Sequence, residues 1–291
     1  MKTVVAFGET LWDLLPTGPV LGGAPANFAY RLNSLGDRSL IVTRLGRDDL
    51  GKKAFDRLQS LGMDTSLVQW DDRKPTGTVP VHLDAQGVPE FTIVKDVAYD
   101  YIEPVEVRAD AICFGTLAQR APVSRRSLGR LLESMPGALK FCDVNLRRDC
   151  WTEETVAHSL RRADWVKLND EEALRLRGIL GLRAKSIPGL AREMRRRWRL
   201  DGVVVTRGAR GAVAVTGTEE LEVPGWKVDV VDTIGSGDAF SAAFLHSWMA
   251  GRSLRDCCFF GNVLGAMVAR TQGATAVITP DEIYRFSGRN I

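Results

Sequence analysis

Cysteine and histidine are scarce in this chain of 291 residues. No Cys-x-x-Cys pair and no His-Glu-x-x-His motif occurs, so nothing in the sequence indicates a zinc knuckle, a disulfide framework or a metallohydrolase. We expect the thiols to be buried or chemically idle. The residues concerned are Cys113, Cys142, Cys150, Cys257 and Cys258, with His82, His158 and His246.

The chain also lacks an excess of one charge and a long apolar run. Lys and Arg number 39 against 36 Asp and Glu, and a net charge of +3 gives no general attraction to nucleic acid or to an anionic membrane. The most apolar stretch, residues 257–269, is shorter than the roughly 18 residues of a spanning helix. The first residues enter a strand pattern directly, without the apolar core of a signal peptide. We therefore expect a cytoplasmic protein with no nucleic-acid or membrane partner.

Short apolar runs alternate with amphipathic helical patterns along most of the chain. This rhythm is typical of a parallel sheet covered on both faces. Residues 78–83 and 90–94 break it, because they are β-rich, flank a turn sequence at 84–87 and predict an antiparallel hairpin. We predict one α/β domain over residues 1–291. It has a doubly wound, mostly parallel sheet with helices on both faces, and a small antiparallel β lid from about residues 9–20 and 74–102.

The segment 231–240 joins two glycines and an acid to an apolar helix predicted over residues 239–250. Gly235 and Gly237 leave backbone N–H groups unshielded at the positive end of this helix, which is how an anion hole is built. Asp238 lies in the first turn. There it either stabilises the helix dipole or serves as a base for a hydroxyl beside the hole.

This segment, Asp-Thr-Ile-Gly-Ser-Gly-Asp over residues 232–238, resembles the D-T-x-G-A-G-D signature of the PfkB, or ribokinase-like, family of ATP-dependent sugar kinases, with Ser236 in place of alanine. Residues 22–27 (Gly-Gly-Ala-Pro-Ala-Asn) resemble the family's G-G-x-x-x-N sugar motif in its fructokinase version. Three further segments resemble motifs of the family. They are residues 143–147 with Trp151 for D-x-N-x-R, residues 169–172 for N-x-x-E, and residues 206–211 for T-x-G-x-x-G. The likeness covers nearly the whole chain in order and implies a ribokinase-like fold.

The resemblance assigns roles to individual residues. It implies that Asp238 is the catalytic base and that Gly235, Ser236 and Gly237 form the anion hole for the transferred phosphoryl group. The lid would exclude water once a sugar is bound. The sugar side would consist of Asp13, Gly22, Gly23, Asn27 and Arg147, and the nucleotide side of Lys167, Asn169, Thr206, Gly208, Gly211, Gly235, Gly237 and Asn262.

Two cation sites are also implied. Asn169 and Glu172 would hold Mg²⁺ through its water shell. A monovalent cation, K⁺, would be bound by Asp232, Ile234, Val268, Thr271 and Gly273, although residues 271–273 lack the basic pair that ribokinases often have there.

Other interpretations stay open for four of these residues. Asn27 is as readily a helix cap as a sugar ligand. Asn169 and Glu172 are alternatively a helix cap followed by an exposed acid, and Arg147 alternatively forms a structural ion pair.

We expect an ATP-dependent phosphotransferase acting on the 6-hydroxyl of fructose, with ATP and Mg²⁺ as cofactors and a homodimer formed through the lid. The alternatives are a 2-keto-3-deoxygluconate kinase, a ribokinase, and a noncatalytic sugar- or nucleotide-binding regulator on the same fold.

Overall fold

The computed structural model describes residues 1–16, 18–83 and 89–289. Its strands are β1 (Thr3–Phe7), β2 (Leu11–Leu15), β3 (Gly18–Gly22), β4 (Arg38–Gly46), β5 (Val68–Asp71), β6 (Gly77–Leu83), β7 (Pro89–Phe91), β8 (Ala111–Phe114), β9 (Leu139–Asp143), β10 (Trp165–Asn169), β11 (Gly202–Thr206), β12 (Ala212–Thr216) and β13 (Glu220–Val223). Its helices are α1 (Ala24–Ser34), α2 (Asp49–Ser60), α3 (Pro122–Ser134), α4 (Glu153–Arg162), α5 (Asp170–Ile179), α6 (Ile187–Trp198), α7 (Ser236–Met249), α8 (Leu254–Ala269) and α9 (Pro280–Ser287).

A nine-stranded sheet runs in the order β13-β12-β11-β10-β9-β8-β1-β4-β5. The strands from β11 to β5 all pair in parallel, which confirms the predicted sheet. β12 and β13 pair antiparallel at one edge and were not predicted. Only a few residues separate β11, β12 and β13, and such short connections permit a hairpin but not a parallel crossover.

A second sheet of order β3-β2-β6-β7 contains the predicted hairpin. β6 and β7 pair antiparallel, and the amides of Thr92 and Val94 continue the ladder by donating to the carbonyls of Pro80 and Thr78. The predicted turn at 84–87 lies outside the described residues. β2 joins β6 in parallel and pairs antiparallel with β3, so the chain after Glu9 does contribute to this sheet.

The core explains why the parallel strands are apolar on both faces. In β1, Val4, Val5 and Ala6 are fully buried, because helices cover the sheet on each side. The indole of Trp165 in β10 packs against Phe244 and Trp248 of α7, with ring centroids 5.0 and 4.7 Å apart. All five cysteines are buried free thiols, as expected. No helix in the described part of the chain is long and apolar enough to cross a membrane.

Candidate active site

The candidate residues gather at the carboxyl edge of the parallel strands, where open α/β sheets bind ligands. Asp143, Asn169 and Thr206 are the last residues of β9, β10 and β11. Residues from the small sheet and the start of α7 meet them there.

Asp238 lies at the start of α7, which begins three residues earlier than predicted. Gly235 caps this helix with φ 78°, in the left-handed region that favours glycine, and no side chain caps it. The Ser236 amide donates to the Thr233 carbonyl at 3.2 Å, so it is engaged in the turn. No described residue accepts a hydrogen bond from the amides of Gly235, Gly237 or Asp238. These three amides, rather than that of Ser236, remain for an anion.

The Asp238 carboxylate is tied directly to the sugar motif. Asn27 Nδ2 donates to Asp238 Oδ2 at 2.9 Å. Burial raises the pKa of Asp238 to about 6, with a further increase from the Asp143 charge, while the Asn27 hydrogen bond and the Lys167 and Arg147 charges lower it. A carboxylate with this pKa is ionised at neutral pH and still accepts a proton readily, as a general base must.

A buried ion pair between Lys167 and Asp143 lies next to the start of α7. Lys167 Nζ lies 3.1 Å from both carboxylate oxygens of Asp143, and Ser241 Oγ donates to Asp143 Oδ2 at 2.7 Å. Burial opposes the ammonium charge, but Asp143 and Glu172 raise the net pKa of Lys167 above its usual value. A Cβ on Gly237 would come within 3.0 Å of this ammonium, so a fixed positive charge lies beside the anion hole.

The sugar motif packs closely on Asp13, which was predicted, and on the backbone of Glu9, which was not. A Cβ on Gly22 would meet Asp13 Oδ2 at 2.5 Å, and a Cβ on Gly23, where φ is 109°, would meet the Glu9 carbonyl at 2.4 Å. Burial raises the pKa of Asp13 to about 6, against the opposing charge of Arg147. The two glycines thus allow the Asp13 carboxylate to lie against the start of α1.

The structure decides two of the open alternatives. Gly23 caps α1 and Asn27 lies within the helix, so the helix-cap interpretation of Asn27 is wrong. Arg147 is exposed and forms no ion pair within 4.0 Å with any residue that the structure describes, so the structural ion pair is also wrong. Its charge instead acts on three nearby carboxyl groups, those of Glu9, Asp13 and Asp238.

A cleft of about 490 Å³ lies on the other side of α7. Five predicted nucleotide residues line it together: Thr206, Gly208, Gly211, Gly237 and Asn262. Lys167, Asn169 and Gly235 are outside this lining set, although Lys167 Nζ lies within 3.0 Å of the position of a Cβ on Gly237. Ser236 also lines the cleft, and its Oγ is buried with no hydrogen-bond partner among the described residues.

The cleft has walls that the motifs did not reveal. Asn262 Nδ2 donates to the carbonyls of Val223 and Pro224 at 3.2 and 3.1 Å, so the predicted adenine-side residue anchors the chain that leads to Trp226. The apolar and aromatic residues that complete the lining are Trp226, Val228, Val230, Phe240, Ala266 and Ala269. No local pattern marks them, because they come from separate segments of the chain.

Asn169 and Glu172 form a capping box at the start of α5. Glu172 N donates to Asn169 Oδ1, and Asn169 N donates to Glu172 Oε2, both at 2.8 Å. Leu146 N donates to Glu172 Oε1 at 2.7 Å. The helix-cap interpretation is therefore right for Asn169, but the interpretation of Glu172 as an exposed acid is wrong because this side chain is buried.

The residues proposed for the monovalent cation come together only in part. Asp232 accepts from the amides of Ile234 and Gly273 at 2.9 and 3.1 Å. The Val268 carbonyl accepts from both Thr271 N and Thr271 Oγ1 at 2.9 Å, which uses both of its lone pairs. Over the described ranges, no group of three or more His, Cys, Asp or Glu residues could hold a metal.

Sequence analysis missed Glu9. This carboxyl group is buried two residues beyond β1, and with Asp143, Asn145 and Asp238 it lines a small cavity. Burial raises the pKa of Glu9 to about 7, Arg147 lowers it and Asp238 raises it. An acid two residues after the apolar run of residues 4–7 was the available signal, because that position lies at the ligand-binding edge of the sheet.

Known proteins that are similar to this chain include sugar kinases. The chain is 29% identical over 315 residues to the fructokinase of Vibrio alginolyticus, covering 99% of this chain and 100% of that one. It is 29% identical over 308 residues to the 2-dehydro-3-deoxygalactonokinase of Haloferax volcanii, covering 97% and 95%. The crystal structure of fructokinase from Vibrio cholerae O395 with fructose, ADP and calcium ion superposes with a TM-score of 0.85 at 26% identity, covering 99% of both chains. Residues 17–281 match the pfkB family of carbohydrate kinases. The chain belongs to this family.

Proposed function

We propose that this carbohydrate kinase transfers the γ-phosphoryl group of ATP to the 6-hydroxyl of fructose. The hydrogen bond between Asn27 and Asp238 is the observation that carries the proposal. It joins the sugar motif to the helix whose first turn lines the cleft through Ser236 and Gly237, so the base lies between a sugar side and a nucleotide side. The fructokinase structure with bound fructose and ADP superposes over 99% of both chains, which supports a sugar and a nucleotide of this kind as the ligands.

Asp238 accepts the proton of the attacking hydroxyl, because it is the ionised group nearest the anion hole. The amides of Gly235, Gly237 and Asp238 stabilise the charge that develops on the transferred phosphoryl oxygens. Lys167 adds a buried positive charge beside Gly237. Ser236 Oγ, which has no hydrogen-bond partner among the described residues, donates to a phosphate oxygen.

Asp13 and Asn27 bind sugar hydroxyls, and Gly22 and Gly23 let the ring approach the backbone. The four-stranded sheet is the lid, which closes over the sugar and excludes water from ATP. Two predictions from the sequence are retained. Residues 1–291 form one kinase domain, and two copies of the chain form a homodimer through this lid.

Thr206, Gly208, Gly211 and Asn262 shape the nucleotide cleft, with Asn262 acting through the backbone that it holds. When bound with the nucleotide, Mg²⁺ neutralises phosphate charge. Each oxygen of Glu172 accepts one backbone amide, which leaves it one lone pair for a water ligand of the metal. Asn169 and Glu172 therefore fit a metal held through water and do not offer direct coordination.

Arg147 favours a second candidate substrate, a 2-keto-3-deoxy sugar acid. The guanidinium is exposed, unpaired among described residues, and close enough to Asp13 and Asp238 to act on their pKa. A substrate carboxylate would pair with it bidentately. The similarity to a 2-dehydro-3-deoxygalactonokinase supports this alternative.

A coupled assay of ADP release decides among the candidates. Fructose, ribose, 2-keto-3-deoxygluconate and 2-keto-3-deoxygalactonate are each titrated with the purified protein and MgATP. We expect fructose to give the highest kcat/KM. A tenfold advantage for a sugar acid overturns fructose but not the kinase assignment, and Arg147→Met should then remove that advantage. Ribose in first place would make the protein a ribokinase, and no turnover of any sugar would favour a noncatalytic regulator.

A further inference from the structure

Arg31 is a buried arginine with no acidic partner among the residues that the structure describes. Its side chain on α1 is only 1% exposed. Nη2 donates to the carbonyls of Ala274 and Ala276 at 3.1 and 3.0 Å, whereas Nε and Nη1 have no partner within the described residues. No ion pair links this guanidinium to a described carboxylate. Burial lowers its pKa, but a guanidinium keeps its charge in proteins. Among the described residues, the charge is compensated by two carbonyl dipoles and by the ring of Tyr30, whose centroid lies 5.3 Å from Arg31 Cζ, and by no carboxylate.

The segment that Arg31 holds forms the back of the anion hole. Ala274 packs so closely on Gly235 that a Cβ on the glycine would come within 2.3 Å of Ala274 Cβ. Gly235 is the cap of α7 and supplies one of the free amides. A shift of Ala274 would thus be transmitted to the backbone that binds the transferred phosphoryl group.

Arg31 and Asn27 lie four residues apart on α1, so they share one face of this helix. Asn27 fixes the carboxylate of Asp238, and Arg31 fixes the wall behind Gly235. One helix therefore sets both the base and the anion hole.

The residues expected to bind a monovalent cation do not fit one as a set, since both lone pairs of the Val268 carbonyl are occupied. The Ala274 carbonyl, three residues after the expected ligand Thr271, instead accepts a hydrogen bond from the buried guanidinium of Arg31. We propose that Arg31 is a positioning residue whose buried charge organises the segment behind the anion hole, so that turnover requires no monovalent cation. This inference rests on the proposed kinase function.

The first test uses the unmodified protein. The kinetic constants for the best sugar are measured in KCl, NaCl and tetramethylammonium chloride at equal ionic strength, together with ADP affinity by calorimetry and the melting temperature. We expect all values of kcat and ADP affinity to agree within about twofold. Activation or tighter ADP binding by K⁺ of tenfold or more overturns the inference. A protein that binds ADP but phosphorylates no sugar refutes the proposed function instead, and the binding data still test the cation.

The second test compares Arg31→Ala, Arg31→Lys and the exposed control Arg57→Met. Misplacing a catalytic group by about 1 Å costs roughly 10²-fold, so we expect Arg31→Ala to lower kcat by about 30- to 100-fold with the sugar KM within threefold. Millimolar guanidinium should raise the kcat of Arg31→Ala at least tenfold and should leave the kcat of Arg57→Met unchanged.

A purely structural role predicts a different result. Arg31→Ala would then lower the melting temperature while kcat per folded molecule stayed within twofold of wild type, and guanidinium would not raise it. That outcome overturns the proposal. If Arg31→Ala does not fold, Arg31→Lys and the cation series on the unmodified protein still decide the question.

Discussion

At the scale of single residues, the site is defined by carboxyl groups held where water is scarce. Burial raises the pKa of Glu9 to about 7 and those of Asp13 and Asp238 to about 6. Each of them is near Arg147, whose charge opposes the increase. Ionising carboxyl groups in such positions is costly for folding, and pKa values perturbed in this way are typical of functional sites.

Asp238→Asn should lower kcat by roughly 10²- to 10⁴-fold, the range for losing a positioned general base. ADP affinity should change little, because Asn still accepts a hydrogen bond from Asn27. In the wild type, kcat/KM should rise with pH through about 6, as the carboxylate loses its proton. Steady-state kinetics between pH 5 and 8 check both expectations, and a variant that keeps half of the wild-type kcat contradicts the role.

Glu9→Gln should stabilise the protein at high pH. The folded pKa of Glu9 is raised from 4.5 to about 7, so the stability that its protonated form contributes is full below pH 4.5 and is lost as pH rises through about 7. Gln cannot ionise and should not lose this contribution. The difference in melting temperature, variant minus wild type, should therefore grow between pH 5 and 8. A difference independent of pH would show that Glu9 is not protonated in the fold.

At the scale of elements, the small sheet is fixed to the body through a buried arginine before α3. Arg120 Nε donates to Asp100 Oδ1 at 2.8 Å, and Nη2 donates to Tyr99 OH at 2.9 Å and to the Val94 carbonyl at 2.7 Å. Arg120 and Asp100 have side chains only 9% and 5% exposed. These contacts hold residues 94–100, the segment that follows β7.

Arg120→Met should lower the free energy of unfolding by about 3–5 kcal/mol, because it leaves the Asp100 carboxylate buried without its partner. The matched control is Arg38→Met, which removes an exposed pair with Asp64 whose side chains are 54% and 28% exposed. That change should cost about 0–1 kcal/mol. Urea unfolding of the three proteins gives the comparison, and equal losses in the two variants would mean that the Arg120 contacts do not anchor the lid.

At the scale of the whole molecule, the two sheets meet at the site from different directions. The nine-stranded sheet supplies the carboxyl edge, and the four-stranded sheet contributes Asp13 and leads through Gly22 into α1. Fewer elements pack against the small sheet than against the large one, so its backbone hydrogen bonds should open more readily. A bound ligand should therefore reduce this opening more in the small sheet.

Hydrogen exchange should therefore slow in β6 and β7 when the preferred sugar is added, and should slow less with a sugar that is not phosphorylated. β10, which lies in the middle of the large sheet, serves as the internal control and should not change. Equal protection by substrates and non-substrates would argue against a lid that closes on the sugar.

The sequence by itself determined the parallel sheet, the hairpin, the start of an anion hole and the family. Each depends on residues close together in the chain, because periodicity and glycine spacing are local properties. Only the tertiary structure brought Asn27 to Asp238, separated by 211 residues, and Arg31 to Ala274, separated by 243. The same holds for Glu9, whose pKa depends on burial. Burial and long-range hydrogen bonds are properties of the packed molecule, so no local pattern could have decided them.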